Sequence, residues 1–435
     1  MILKAGAAFT NITPHKPHFL YGYPFVERIS TGINDWLLSS ALYLTDGVES
    51  VFFITNDIVL LSKAIVANVR KGISEATGVP ADHIMVGATH THSGPITIDC
   101  KVSADDSVIP PADQEYIRYM EQQIIRSACT AFSNAVLAKI GLTVADGTGI
   151  GTNRHDPDGP ADLDIPVLVV KDLNDKMIAC MMVCNMHPTV LHEDSTLCSG
   201  DFPSYARDIL QKKVFGCECP VLHFTGASGN QSPRHVTRSN TFDEAARLGG
   251  IIAHAVKKSL DAGIEFDETA TIICRQQLVD LPRREFPTVE WATTNRDRAL
   301  EQFETLKKMS GSPQEIRTAE VDWFGAEELL FLSTLINEGA LEETYRNSLP
   351  AEIQMIKIGR WTFVSWSCEA FIEYELQLKS MYKDTFLATL TNGELQGYVV
   401  TEEAVRKNYY EASNSLFHYS SGEVLLSETI KLLNQ

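Results

Sequence analysis

A chain of 435 residues is long enough to bury one large core or two to three smaller ones. Its 37 basic residues stand against 56 acidic ones, a formal charge of −19. No Lys/Arg cluster offers footing to a phosphate backbone, which excludes a nucleic-acid partner. No repeat or low-complexity tract appears, and apolar runs such as 51–67 are broken by Asp57 and Lys63, which excludes a membrane span.

The first residues, Met1-Ile2-Leu3-Lys4-Ala5-Gly6, lack the apolar run and small-residue cleavage site of a signal peptide. The nine cysteines are odd in number and several sit in apolar runs, which reads as buried, reduced thiols. A cytoplasmic protein is expected. The oligomeric state is not written in these features.

In chain order, "SALYLTDG" and "SVFFITNDIVL" read as neighbouring strands. The helical period of "SKAIVANVRKGISEATG" follows, closed by its glycine, and then the strand "DHIMVGATH". "EYIRYMEQQIIRSACTAFSNAVLAK" reads as a helix, "IPVLVVKD" and "KMIACMMVCNM" as strands, and "SYARDILQKKV" as a helix. "CPVLHFTGASG" is strand then glycine turn, and "FDEAARLGGIIAHAVKKSL" is helix. This rhythm predicts an α/β protein of mixed sheet layers flanked by helices, with its site at strand ends. A polar helical excursion spans about 288–346, and strands return in "AEIQMIKIGRWTFVSWSCEAF" and "TFLATLTNG". Without a Pro- or Gly-rich linker, residues 1–435 are expected to form a single domain.

The chemistry-bearing residues stand at these strand ends. His90 and His92 are two apart at the end of "HIMVGATH", and on a strand that spacing points both to one face. They read as a ligand pair, as one ligand beside one acid/base, or as two histidines closing a strand. His187 has the same grammar in "CNMHPTVL", whereas His192 reads as a solvated loop residue. "FTGASGNQSPRH" ends a strand in a turn carrying Ser228 and Ser232, but Asn230 breaks the nucleophile-elbow pattern, against a triad esterase. Glu369 follows the apolar run "FVSWSC", where a charge needs a partner or a metal. Its alternative is the first turn of "EAFIEYELQLK". Imidazole and carboxylate together suit zinc.

Taken together, these segments resemble the catalytic domain of the neutral, non-lysosomal ceramidases. "GATHTHSGP" is the most specific of them. "MHPTVL", "GNQSPR", "CEAF" and "LQGYVVTEEAVRKNYYEASNSLF" follow in the family's order, with Tyr398 and Tyr410 twelve positions apart. The resemblance implies zinc held by His90, His187, Glu369 and Tyr398. It makes His92 the acid/base or transition-state partner and Ser232 the catalytic or substrate-anchoring serine. Arg154, in "GTNRHDPDGP", and Tyr410 become donors to the amide carbonyl. The implied reaction is hydrolysis of the N-acyl bond of ceramide or a ceramide-like lipid by a metal-activated water. A zinc hydrolase of small soluble N-acyl or ester compounds, and a metal-bound binding protein without catalysis, are the alternatives.

The chain departs from the family pattern at Asn230, Arg234, Ser367-Cys368 and Asn34. The family's immunoglobulin-like C-terminal domain is expected to be absent. Arg234, beside the serine, points to a more polar or anionic headgroup.

Overall fold

The computed structural model describes residues 2–100 and 106–435. Eight strands form a mixed sheet in the spatial order 221–225, 177–184, 164–172, 136–146, 4–11, 38–45, 50–56 and 84–88. The inner pairings are antiparallel. The two outermost strands, Val221–Thr225 and Ile84–Ala88, lie parallel to their neighbours. Their unpaired edges meet through the segment 389–392. Thr389 N donates to Thr225 O (2.8 Å), Ala88 N to Leu390 O (3.1 Å) and Asn392 N to Val86 O (2.7 Å). That contact ties together the C-terminal ends of both edge strands and pairs backbone groups that would otherwise be free there.

A second sheet of four strands (Ile272–Val279, Ala351–Ile358, Trp361–Trp366, Thr385–Ala388) packs face to face on the first. Leu42, Leu44, Phe53, Met85 and Phe224 of the larger sheet meet Ile356, Ile358, Phe363 and Phe386 of the smaller. Alternate residues of the same strands supply the outer faces. Phe52, Ile54 and Val86 pack with the helices Lys63–Thr77 and Gln114–Ser133, through Val69 and Ile124. Val167 and Met182 pack with Phe202, Leu248 and Ile252 of the helices Asp201–Ile209 and Phe242–Asp261. Ile353, Met355, Val364 and Trp366 pack with Leu378, Leu425 and Leu432 of the helices Ile372–Met381 and Ser421–Leu433. The layers are helix, sheet, sheet, helix, so strands covered on both faces carry continuous apolar runs.

The helical excursion falls where its polarity places it, as Val289–Lys308, Pro313–Asn337 and Glu342–Ser348. Thr288 caps the first helix, and Ser312 with Glu315 forms a capping box on the second.

Two local expectations are corrected. The helix read over "EYIRYMEQQIIRSACTAFSNAVLAK" ends at Ser133, and Val136–Asp146 is a strand paired with Asp164–Asp172. Asn134 closes the helix, and sheet pairing decides an apolar run that either period accommodates. His90 is not on a strand: Ile84–Ala88 ends two residues earlier, and His90 takes a left-handed φ of 66°.

Candidate active site

The functional candidates gather beyond the C-terminal ends of strands from both sheets, where short backbone pairings hold the loops together. Glu369 pairs with Tyr398 in parallel register. His187 N donates to Gln231 O (3.1 Å), and Gln231 and Ser232 pair with Asn153 and Thr152. Arg154 N donates to Asn230 O (2.8 Å). Gly229 lies so close to the Glu369 strand that a Cβ there would sit 2.7 Å from Ala370 O. Asn230 ties the same two segments by its side chain: Nδ2 donates to Glu373 Oε2 (2.9 Å), and Oδ1 accepts from Ile372 N (2.8 Å).

His90 is set by its backbone. Its N–H donates to Ile58 O (2.9 Å), while the left-handed φ swings the ring off the strand direction, at a cost of about 1–3 kcal/mol. His90 and His92 therefore face one pocket through a turn rather than through strand alternation. Arg28, fully buried, donates to His92 O (2.7 Å) and Ser195 O (2.9 Å), locking this turn to the loop after His187.

The imidazole nitrogens carry the chemistry. His90 Nδ1 contacts Val59 O at 2.9 Å, His187 Nδ1 contacts Ser228 O at 2.8 Å, and His92 Nδ1 contacts Gly22 O at 3.0 Å. A carbonyl oxygen only accepts, so each Nδ1 carries the proton and each neutral ring turns a lone pair outward at Nε2. Those nitrogens converge: His90 Nε2 lies 3.0 Å from His187 Nε2 and 3.4 Å from His92 Nε2. Glu369 Oε2, with no hydrogen-bond partner, lies 3.3 Å from His90 Nε2 and 3.1 Å from His187 Nε2. Burial, before any other cause, keeps His187 and His92 below the usual imidazole range, so they are not protonated at neutral pH. A carboxylate and facing lone pairs in a dry pocket repel one another unless a cation sits among them. The three histidines alone, with ligand nitrogens within 4.8 Å of one another, make a group able to hold a metal.

The remaining candidates line the surroundings. Tyr398 is buried next to Glu369, and Tyr410 stands edge-on to it with ring centroids 5.9 Å apart. Burial, with Glu369 as the next cause for Tyr398 and Glu328 for Tyr410, raises both phenols well above their ordinary value. Arg154 lies 5.3 Å over the Tyr398 ring and is gripped by Glu411 Oε1 at 2.5 Å. Burial alone would lower this guanidinium, but Glu411 overrides it and the arginine stays charged. Glu411 is pushed up by burial, yet Arg154 and then His155 bring it down to about 2. Ser232 is buried in the wall, its Oγ accepting from Arg234 N (3.3 Å).

These side chains form the floor of a cleft of about 620 Å³, shared by His92, His187, Arg154, Ser232, Tyr398 and Tyr410. Its far wall is the helix Pro313–Asn337, through Ile316, Arg317, Val321 and Phe324. Behind the histidines a smaller chamber of about 80 Å³ holds Glu328 and Glu394. Burial, followed by Glu369, drives Glu394 well up, and burial drives Glu328 to about 8. Burial thus disfavours a further anion against Glu369 at either position.

All eight sequence candidates border this one region. His192, read as a solvated loop residue, instead lines the cleft, beside the Tyr23 ring and Asn240, with burial lowering it to about 4. Ser228 contributes only its carbonyl, to His187. Asn34 lies away from the site, bonded to Asp35 and Tyr205. Three participants went unread: Glu411, the clamp on Arg154; Gly22, which orients His92; and Arg317. Glu411 adjoins Tyr410 in a segment already singled out, but nothing local marks it as the partner of a residue 257 positions away.

No protein-family model matches the chain. Among solved structures it is similar to the neutral ceramidase of Pseudomonas aeruginosa, with a TM-score of 0.76 at 16% identity, covering 99% of this chain and 74% of that one. A ceramidase solved in complex with C2 gives a TM-score of 0.75 at 15% identity, covering 98% and 74%. The fold is therefore that of the neutral ceramidases, and the His90–His92–His187 group lies at its strand ends.

Proposed function

We propose that this protein is a metal-dependent amidohydrolase, with zinc as its metal, that cleaves the N-acyl bond of a ceramide-like lipid. The observation that carries the reading is the convergence of backbone-fixed imidazole lone pairs on the partnerless Glu369 oxygen, which calls for a cation. His90, His187 and Glu369 would hold the metal, with Tyr398 as the fourth ligand. Two imidazole nitrogens and a carboxylate are a ligand set of the kind that leaves a catalytic zinc a position for water. When bound, such a metal lowers the pKa of a water and polarises an amide carbonyl.

The chain's own residues divide the rest. His92 Nε2 is free to take a proton, because Gly22 O holds the other nitrogen in its N–H form. It accepts a proton from the attacking water and returns it to the amine nitrogen as the C–N bond breaks. Arg154, kept charged and aimed by Glu411, and the Tyr410 hydroxyl donate to the carbonyl oxygen as charge gathers there. Ser232 anchors the polar end of the substrate. Ile316, Val321 and Phe324 offer the acyl chain an apolar wall.

The test pairs metal content with turnover. His187→Ala is expected to lose both bound zinc and hydrolysis of N-acyl substrates, and His92→Ala to keep the zinc and lose turnover. Retention of zinc by His187→Ala, or full turnover by His92→Ala, overturns the assignment.

A further inference from the structure

The cleft is far more basic than the rest of the chain. Arg154, Arg234, Arg238 and Arg317 line it in a protein of formal charge −19. Its two lining acids, Glu193 and Glu320, are both taken by Arg317, at 3.3 and 2.8 Å. Arg154 belongs to Glu411. Arg238 is exposed to solvent, whereas Arg234 is partly buried and has no such partner: among the described residues no carboxylate pairs with it, and its side chain reaches only Thr318 Oγ1, at 3.5 Å. It is only partly exposed, and its backbone N–H is bonded to Ser232 Oγ, which sets it beside the serine. Burial, with Arg154 as the next cause, draws this guanidinium down to about 10, leaving it charged at neutral pH. A half-buried arginine without a counter-ion is costly, and a bound anion offsets that cost with charge-assisted hydrogen bonds.

We infer that the substrate is an anionic amphiphile, an N-acyl compound whose polar end carries a carboxylate, sulfonate or phosphate that Arg234 binds next to Ser232. This rests on the amidase reading for its chemistry but not for its binding. Ile316, Val321 and Phe324 line the same cleft as Arg234, so one molecule can satisfy both.

The experiment compares four probes sharing a dodecanoyl chain: N-dodecanoylglycine, N-dodecanoyltaurine, phosphorylated N-dodecanoylethanolamine, and neutral N-dodecanoylethanolamine. Binding is measured by calorimetry on the His92→Ala chain loaded with zinc, and kcat/KM on the wild type. At least one anionic probe should bind about ten- to hundredfold more tightly than the neutral one, the range of a charged hydrogen bond. Arg234→Gln, which keeps a donor for Thr318, should erase most of that preference in the same background, with a circular dichroism spectrum confirming its fold. The preferred probe identifies the anion. Equal affinity for all four probes, or an undiminished preference in Arg234→Gln, overturns the inference. Should the wild type hydrolyse none of them while the binding preference holds, the amidase reading fails and the anion site stands.

Discussion

The floor of the cleft and its helical wall are built by different means. On the floor, each imidazole has one nitrogen on a backbone carbonyl, and the loops that carry them are cross-bonded in short parallel and antiparallel pairs. On the wall, Pro313–Asn337 presents Arg317, Val321 and Phe324 from a single helix, with Arg317 paired to Glu320 of the same helix. The difference teaches where precision is needed. In the proposed function, metal ligands and proton carriers tolerate little displacement and are held by the sheets, whereas a surface proposed for an acyl chain needs only shape and apolarity.

That comparison breaks most visibly on the floor. Removing a proposed ligand by Glu369→Ala should abolish zinc binding by elemental analysis and lower kcat/KM by about 10³-fold or more, the scale of a lost metal. Full metal occupancy would move the site elsewhere.

The next effect tests the Arg154 clamp. Glu411→Gln leaves a buried guanidinium without its partner and should cost about 3–5 kcal/mol in denaturant unfolding. The wild type carries the matching pH signature. Because the folded carboxyl sits at about 2, below the ordinary 4.5, its stabilisation is complete above the unfolded value and disappears as the pH falls toward 2. Unfolding free energies should fall by about 3 kcal/mol more in the wild type than in Glu411→Gln across that window.

Gly22 tests orientation without touching a ligand. Its φ is 127°, and a Cβ there would lie 2.6–2.7 Å from the His92 ring. Gly22→Ala should therefore displace His92 and lower kcat about 10²-fold while zinc content is unchanged. An equal loss of metal would mean that His92 is itself a ligand.

The smallest expected effect concerns a departure from the ceramidase pattern. Asn230 donates to Glu373, so Asn230→Asp sets two carboxylates against each other and should destabilise the protein by about 1–3 kcal/mol. Glu373→Gln in the same chain should restore much of that, as a double-mutant cycle would record.

The strand–helix rhythm, the helical excursion and the placing of His187, Ser232 and Glu369 beyond strand ends were legible in the residues, whereas the turn that carries His90 was not. Each rests on local periodicity and on what a chain can bury. The fate of 136–146 was not, because its apolar run suits a helix or a strand until a neighbouring strand is there to pair with it. His192 looked solvated because nothing local shows the helix Pro313–Asn337 passing over it. The sequence by itself determined the α/β class, the acidic surface and the candidate donors. Only the tertiary structure decided which imidazole nitrogen is free, that the partly buried Arg234 stands without a carboxylate and which glutamate serves as a clamp. Those depend on carbonyls and carboxylates that lie far apart in the chain and meet only when the sheets pack.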